Sequence, residues 1–146
     1  MKNPENLVFP LVMISKNGVI EFCLSEKDLT TCTYKSFIQN YYQGLELIDS
    51  DGNNFVIQEA SLTKPIGLMQ KYFGKRIKVN LIINANFNKL TLPEFQIKML
   101  NAFSDQQDFW EAGGNFKWIE KTIKTSSDIR SILSVMADYY FRGITS

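Results

Sequence analysis

Apolar positions recur every second residue in the first part of this chain and every third or fourth in the last part, with the change falling between residues 86 and 91. Leu7 to Ser15 and Val19 to Leu24 flank Lys16-Asn17-Gly18, a hairpin signal because Asn-Gly readily takes the positive φ values of a tight turn. The first of these strands is apolar on both faces, Phe9, Leu11 and Met13 on one and Val8, Val12 and Ile14 on the other. That pattern is expected of a central strand covered on two sides. A second hairpin is expected from Gly44, Leu45, Leu47 and Ile48, through the turn Asp49-Ser50-Asp51-Gly52-Asn53, to Phe55, Val56 and Ile57. The aromatic stretch Tyr34 to Tyr42 fits either a short helix or a further strand. In Lys75 to Asn84, Ile77, Val79, Leu81 and Ile83 alternate with Arg76, Lys78, Asn80, Ile82 and Asn84, which predicts a half-buried strand.

From residue 91 the signals are helical. Thr91 followed by Glu94 is a capping box, with Leu90 and Phe95 in the hydrophobic-staple positions, and Phe95, Met99, Ala102 and Phe103 continue one apolar face. Gly113-Gly114 breaks this pattern, and Phe116 to Lys124 forms a short helical candidate. A closing helix is predicted from Asp128, because Ile129, Ile132, Leu133, Met136, Ala137 and Tyr140 recur at helical spacing. Ser126 or Ser127 is its expected cap, and Gly143 stands just past its end. Strands followed by helices, with no alternation between them, predict an α+β fold: a mainly antiparallel sheet from N-terminal hairpins, with the C-terminal helices packed on one face. Residues 1–146 read as a single domain, without internal repeat, low-complexity tract or linker.

Composition narrows the chemistry. The chain contains no histidine, so the commonest metal ligand and the commonest near-neutral general base are both missing. No metal site and no cofactor are expected. Cys23 and Cys32 are the only cysteines, with no CxxC and no histidine to complete a metal site, and they read as two reduced, buried thiols of a cytoplasmic protein. As nucleophiles they would need a base or a positive environment that the sequence does not provide. The run Leu7 to Ile14 is interrupted by Pro10 and has no cleavage site after it, so it reads as a strand and not as a signal peptide. No stretch reaches the ~20 apolar residues of a membrane span. The net charge of +1 creates no field that attracts polyanions.

Two candidate motifs fail on their details. Asp49-Ser50-Asp51-Gly52-Asn53 begins like a calcium loop, but Asn54 and Ala60 stand where that loop requires glycine and a bidentate glutamate. Lys71-Tyr72-Phe73-Gly74-Lys75-Arg76-Ile77-Lys78 interleaves cations and rings as a single-strand nucleic-acid surface does. However, Tyr72 and Lys75 occupy the positions where the RNA-recognition signature expects glycine and an aromatic residue. No nucleic-acid partner is expected, and a lysine-rich solvent face, such as a protected edge strand, accounts for the charges. No GxGxxG or phosphate-binding loop is present.

The segment Ser104-Asp105-Gln106-Gln107-Asp108-Phe109-Trp110-Glu111 carries the candidate partner-binding residues Asp105, Asp108, Phe109, Trp110 and Glu111: three acids and two large aromatics without a base. Such a patch can anchor a protein partner, the rings desolvated at its centre and the carboxylates facing cations at its rim. The alternative is that Phe109 and Trp110 close the core while the acids are solvated.

The order Phe9-Pro10-Leu11-Val12-Met13-Ile14-Ser15-Lys16-Asn17-Gly18, then Leu45 to Gly52, then Asp108-Phe109-Trp110-Glu111, then the helix Ile129 to Tyr140 resembles small immunity proteins of bacterial polymorphic or contact-dependent toxin systems. The resemblance implies a single-domain, non-catalytic cytoplasmic inhibitor whose partner is a cognate toxin domain and which acts by occluding that toxin's active site. Nuclease inhibitors of such systems are often strongly acidic, so the near-neutral charge implies a toxin with a less basic site. The alternatives are an adaptor or subunit outside toxin biology, and an enzyme that works without histidine through carboxylates, tyrosine or cysteine.

Overall fold

A computed structural model describes residues 6–85, 89–112 and 116–142. Its architecture is α+β: a six-stranded antiparallel sheet from the first part of the chain, followed by four helices. The strands β1 (Leu11–Ile14), β2 (Ile20–Cys23), β3 (Thr31–Thr33), β4 (Glu46–Ile48), β5 (Asn54–Leu62) and β6 (Arg76–Ala85) lie in the order β2-β1-β4-β5-β6-β3. Three helices of five residues each fall between them: α1 (Glu26–Thr30), α2 (Tyr34–Ile38) and α3 (Leu68–Tyr72). The ambiguous aromatic stretch therefore begins as a helix.

Both expected hairpins form. In the first, Gly18 N–H bonds Ser15 O at 3.0 Å and Ser15 N–H bonds Val19 O at 2.9 Å. Gly18 alone enters the left-handed region, at φ 80°, while Asn17 stays outside it. In the second, Gly52 takes φ 84°, and its carbonyl accepts from Leu90 N–H at 2.8 Å. A Cβ there would stand 2.7 Å from Leu90 O, so only glycine lets this turn sit against the chain that leads into the helices.

The sheet separates two cores. On one face, Val12, Ile20, Phe22 and Ile48 meet the C-terminal helices. On the other, Leu11, Met13, Leu47, Phe55, Ile57, Ile77, Val79, Leu81 and Ile83 enclose an inner core, closed by Leu29 of α1 and by Tyr42. β1 is thus covered on both sides, as its two apolar faces require. The ladder between β5 and β6 shifts register between Ile57 and Glu59, a bulge of the kind that bends a strand and helps the sheet curl around this second core. β6 is not a terminal strand of the sheet: β3 pairs with its basic start, Arg76, Ile77 and Lys78, β5 pairs with its remainder from Val79 to Ala85, and the terminal strands are β2 and β3.

The helices are α4 (Leu92–Asp105), α5 (Gln107–Ala112), α6 (Phe116–Thr125) and α7 (Ile129–Arg142). The capping box is present: Thr91 Oγ1 accepts from Glu94 N–H at 3.4 Å, and Glu94 Oε1 accepts from Thr91 N–H at 3.1 Å. Phe95, Met99, Ala102 and Phe103 are buried, as are Ile129, Ile132, Leu133, Met136 and Ala137 of α7. The cap of α7 differs from expectation. Ser126 turns its hydroxyl back onto Thr122 O at 2.6 Å, and Asp128 Oδ1 takes the capping role by accepting from Ser131 N–H at 2.7 Å. The Gly113-Gly114 break and Gly143 lie outside the described residues.

Candidate functional site

The acidic, aromatic segment lies at the corner between α4 and α5. Asp105 is the last residue of α4, and Gln106 joins it to α5. Gln106 Nε2 donates to Asn17 O at 3.2 Å, which fastens the corner to the turn of the first hairpin. A helix as short as α5 is not stable alone, so its position depends on a tertiary anchor. Trp110 supplies it: the indole is buried, 4.8 Å from the Phe103 ring in an edge-on contact and 6.3 Å from Tyr139.

Trp110 is therefore a core residue, and of the two adjacent rings only Phe109 faces solvent, 69% exposed with its ring 5.0 Å from the indole. Asp105, Asp108 and Glu111 are all exposed. Glu111 Oε1 accepts from Gln107 Nε2 at 2.7 Å, and none of the ion pairs among the described residues involves these three carboxylates. The site so built is an outward phenyl ring among unpaired negative charges, on a helix that its neighbouring tryptophan holds in place. Trp118 extends the aromatic run: it is partly exposed and lies 5.4 Å from Tyr139, which also contacts Trp110. Sequence reasoning passed over Trp118, although it stands off the face defined by Ile119 and Ile123 and was bound to lie nearer the surface.

The other candidate is a cavity of about 500 Å³ between the edge strands β2 and β3, lined among others by Glu21, Cys23, Cys32, Tyr41, Arg76 and Tyr140. Tyr41 Oη donates to Glu21 Oε2 inside it. Burial, reinforced by the Asp28 and Glu21 carboxylates, pushes the Cys23 thiol far up, and burial also raises Cys32. Burial and the bond to Glu21 raise Tyr41 as well. Arg76, a cation that favours the thiolates, is drawn to β3, its Nη2 donating to Thr31 O at 2.7 Å. Both thiols are free and buried, and both are held protonated at neutral pH, the reverse of what a nucleophile needs.

The turn at 49–53 uses its carboxylate internally. Asp49 Oδ1 accepts from the N–H groups of Asp51 and Asn53, each at 3.0 Å, and Oδ2 accepts from Val8 N–H at 3.4 Å. Asp51 faces Arg130 at 3.3 Å. No group of three or more histidine, cysteine, aspartate or glutamate side chains suited to a metal ion occurs among the described residues. No helix among them is long and apolar enough to cross a membrane. Comparison with known proteins gives no match: no family model, no curated protein and no solved structure matches this chain.

Proposed function

We propose that this chain is a non-catalytic, cytoplasmic protein-binding module that neutralises a cognate bacterial toxin domain by covering its active site, with Asp105, Asp108, Phe109 and Glu111 in the contact. The observation that carries this reading is the exposed Phe109 ring on a short helix whose orientation Trp110 fixes, beside three exposed carboxylates that join no ion pair among the described residues. A large ring presented on a rigid support loses little entropy on docking, and carboxylates around it steer a basic partner surface into register. The raised thiols of the cavity support a binding role over a histidine-free cysteine enzyme.

Co-purification from the native host identifies the partner, and the dissociation constant of the purified pair then tests the surface. Asp105→Lys with Asp108→Lys should weaken binding by roughly tenfold or more, most strongly at low salt. Phe109→Ala should weaken it through lost apolar contact. Thermal stability should stay nearly unchanged in both variants, because the altered side chains are exposed. An unaltered constant in both folded variants removes the surface from the contact. A partner that is not a toxin, or a toxin whose activity persists in the complex, favours the adaptor reading.

A further inference from the structure

Residues 61–76 form the tip of the β5–β6 hairpin, and all of them except Ile66 and Gln70 are exposed. Ile66 alone reaches back to the inner core. On α3 and its C-cap, Leu68 is 70% exposed, Met69 49%, Tyr72 66% and Phe73 72%. Their spacing of one, four and five residues places them on one face of the helix. Scattered surface hydrophobics are ordinary, but four large ones adjoining on a projecting tip form a patch that calls for a partner.

The charge along the tip has one sign. From Ala60 to Lys78 the chain has no acidic residue, and it has five cations: Lys64, Lys71, Lys75, Arg76 and Lys78. None of them takes part in an ion pair among the described residues. Lys71 Nζ lies 5.5 Å from the centre of the Tyr72 ring, so cation and aromatic ring meet on the tip itself.

We propose that this tip docks on an anionic lipid surface, the Leu68-Met69-Tyr72-Phe73 stripe entering the boundary between headgroups and acyl chains while the flanking lysines meet lipid phosphates. Charge complementarity selects this occupant. A second copy of the tip would bring like charges together. A nucleic-acid strand would stack on Tyr72 and Phe73 but leave the aliphatic Leu68 and Met69 without a role. A protein interface favours arginine and disfavours lysine, whereas four of these five cations are lysines, flexible point charges suited to phosphates whose positions are not fixed. The proposal is independent of the surface around Phe109, which carries the opposite charge. It involves no crossing of the bilayer.

The test is sedimentation of the full chain with phosphatidylcholine vesicles, with and without phosphatidylglycerol, at low and moderate salt. The chain should partition onto the anionic vesicles only, and added salt should release it. Leu68→Ser with Phe73→Ser should lower the partition coefficient by roughly tenfold or more, and Lys71→Glu with Lys75→Glu should abolish binding. Both variants should keep the melting temperature of the parent, because all four side chains are exposed. Absence of partition, or equal partition of parent and variants, overturns the proposal. So does binding to a single-stranded oligonucleotide or to polyglutamate without binding to vesicles.

Discussion

Tyr42 Oη donates a 2.7 Å hydrogen bond to the carbonyl oxygen of Leu29, and both residues are fully enclosed in the inner core. The bond joins the chain after α2 to the last turn of α1, whose terminal carbonyls have no partner within so short a helix. Tyr42→Phe keeps the ring and deletes the donor, leaving a buried acceptor unsatisfied. The expected cost is about 1–2 kcal/mol. Urea unfolding measures it as a lower midpoint at constant slope, and an unchanged midpoint contradicts the assignment.

Asp49 serves the 49–53 turn as an acceptor, not as a cation ligand. Asp49→Ala deprives three backbone N–H groups of their partner and should cost about 3 kcal/mol. Asp49→Asn retains Oδ1, which holds the two 3.0 Å bonds, and gives up only the longer contacts of Oδ2, so its loss should be nearer 1 kcal/mol. The order alanine worse than asparagine, read from thermal or urea unfolding in calcium-free buffer, checks the geometry. Added calcium that rescues the parent but neither variant would reverse it.

The elements legible in the sequence are those whose local signal and tertiary role agree. The Asn17-Gly18 turn, the alternation of Ile77, Val79, Leu81 and Ile83, and the Thr91–Glu94 box each act over a few neighbouring residues, and each is where the pattern put it. What escaped was set by distant packing. α1 and α3 are too short to show a helical period, and three-residue β3 exists only because β6 offers it an edge. At the candidate site, composition marked residues 105–111 but could not divide them. Only the packing against Phe103 and Tyr139 decides that Trp110 turns inward while Phe109 turns out. The register shift in the β5–β6 ladder and the cavity that brings Cys23 and Cys32 together are likewise set by pairing between distant residues, which no local pattern announces.

Both cysteines should be inert in the native protein. Burial keeps the thiols protonated and out of reach of a reagent, Cys23 more strongly than Cys32 because two carboxylates add to its desolvation. With an aromatic disulfide reagent at mildly alkaline pH, the folded chain should show no rapid phase, and both thiols should react at once in denaturant. A fast phase from the folded chain, lost in Cys32→Ala or Cys23→Ala, would mean that a thiolate forms in the cavity and would revive the enzymatic alternative.

The acid side of the stability profile should depend on two helix starts. Glu94 is held below the ordinary carboxylate range because it accepts from the Thr91 backbone and hydroxyl, and Asp128 because it accepts from the Ser131 N–H and hydroxyl. A carboxylate whose folded pKa is depressed stabilises the native state above its unfolded pKa, and that contribution disappears as pH falls through the folded value. The melting temperature should therefore fall as the solution is acidified through and below the usual carboxylate range. Glu94→Gln with Asp128→Asn is the discriminating variant. Glutamine and asparagine can still accept the capping hydrogen bonds, but they do not titrate. The double variant should thus melt near the parent at acidic pH and show a shallower slope between acidic and neutral pH. Superimposable slopes for parent and variant would show that neither cap contributes to the acid limb.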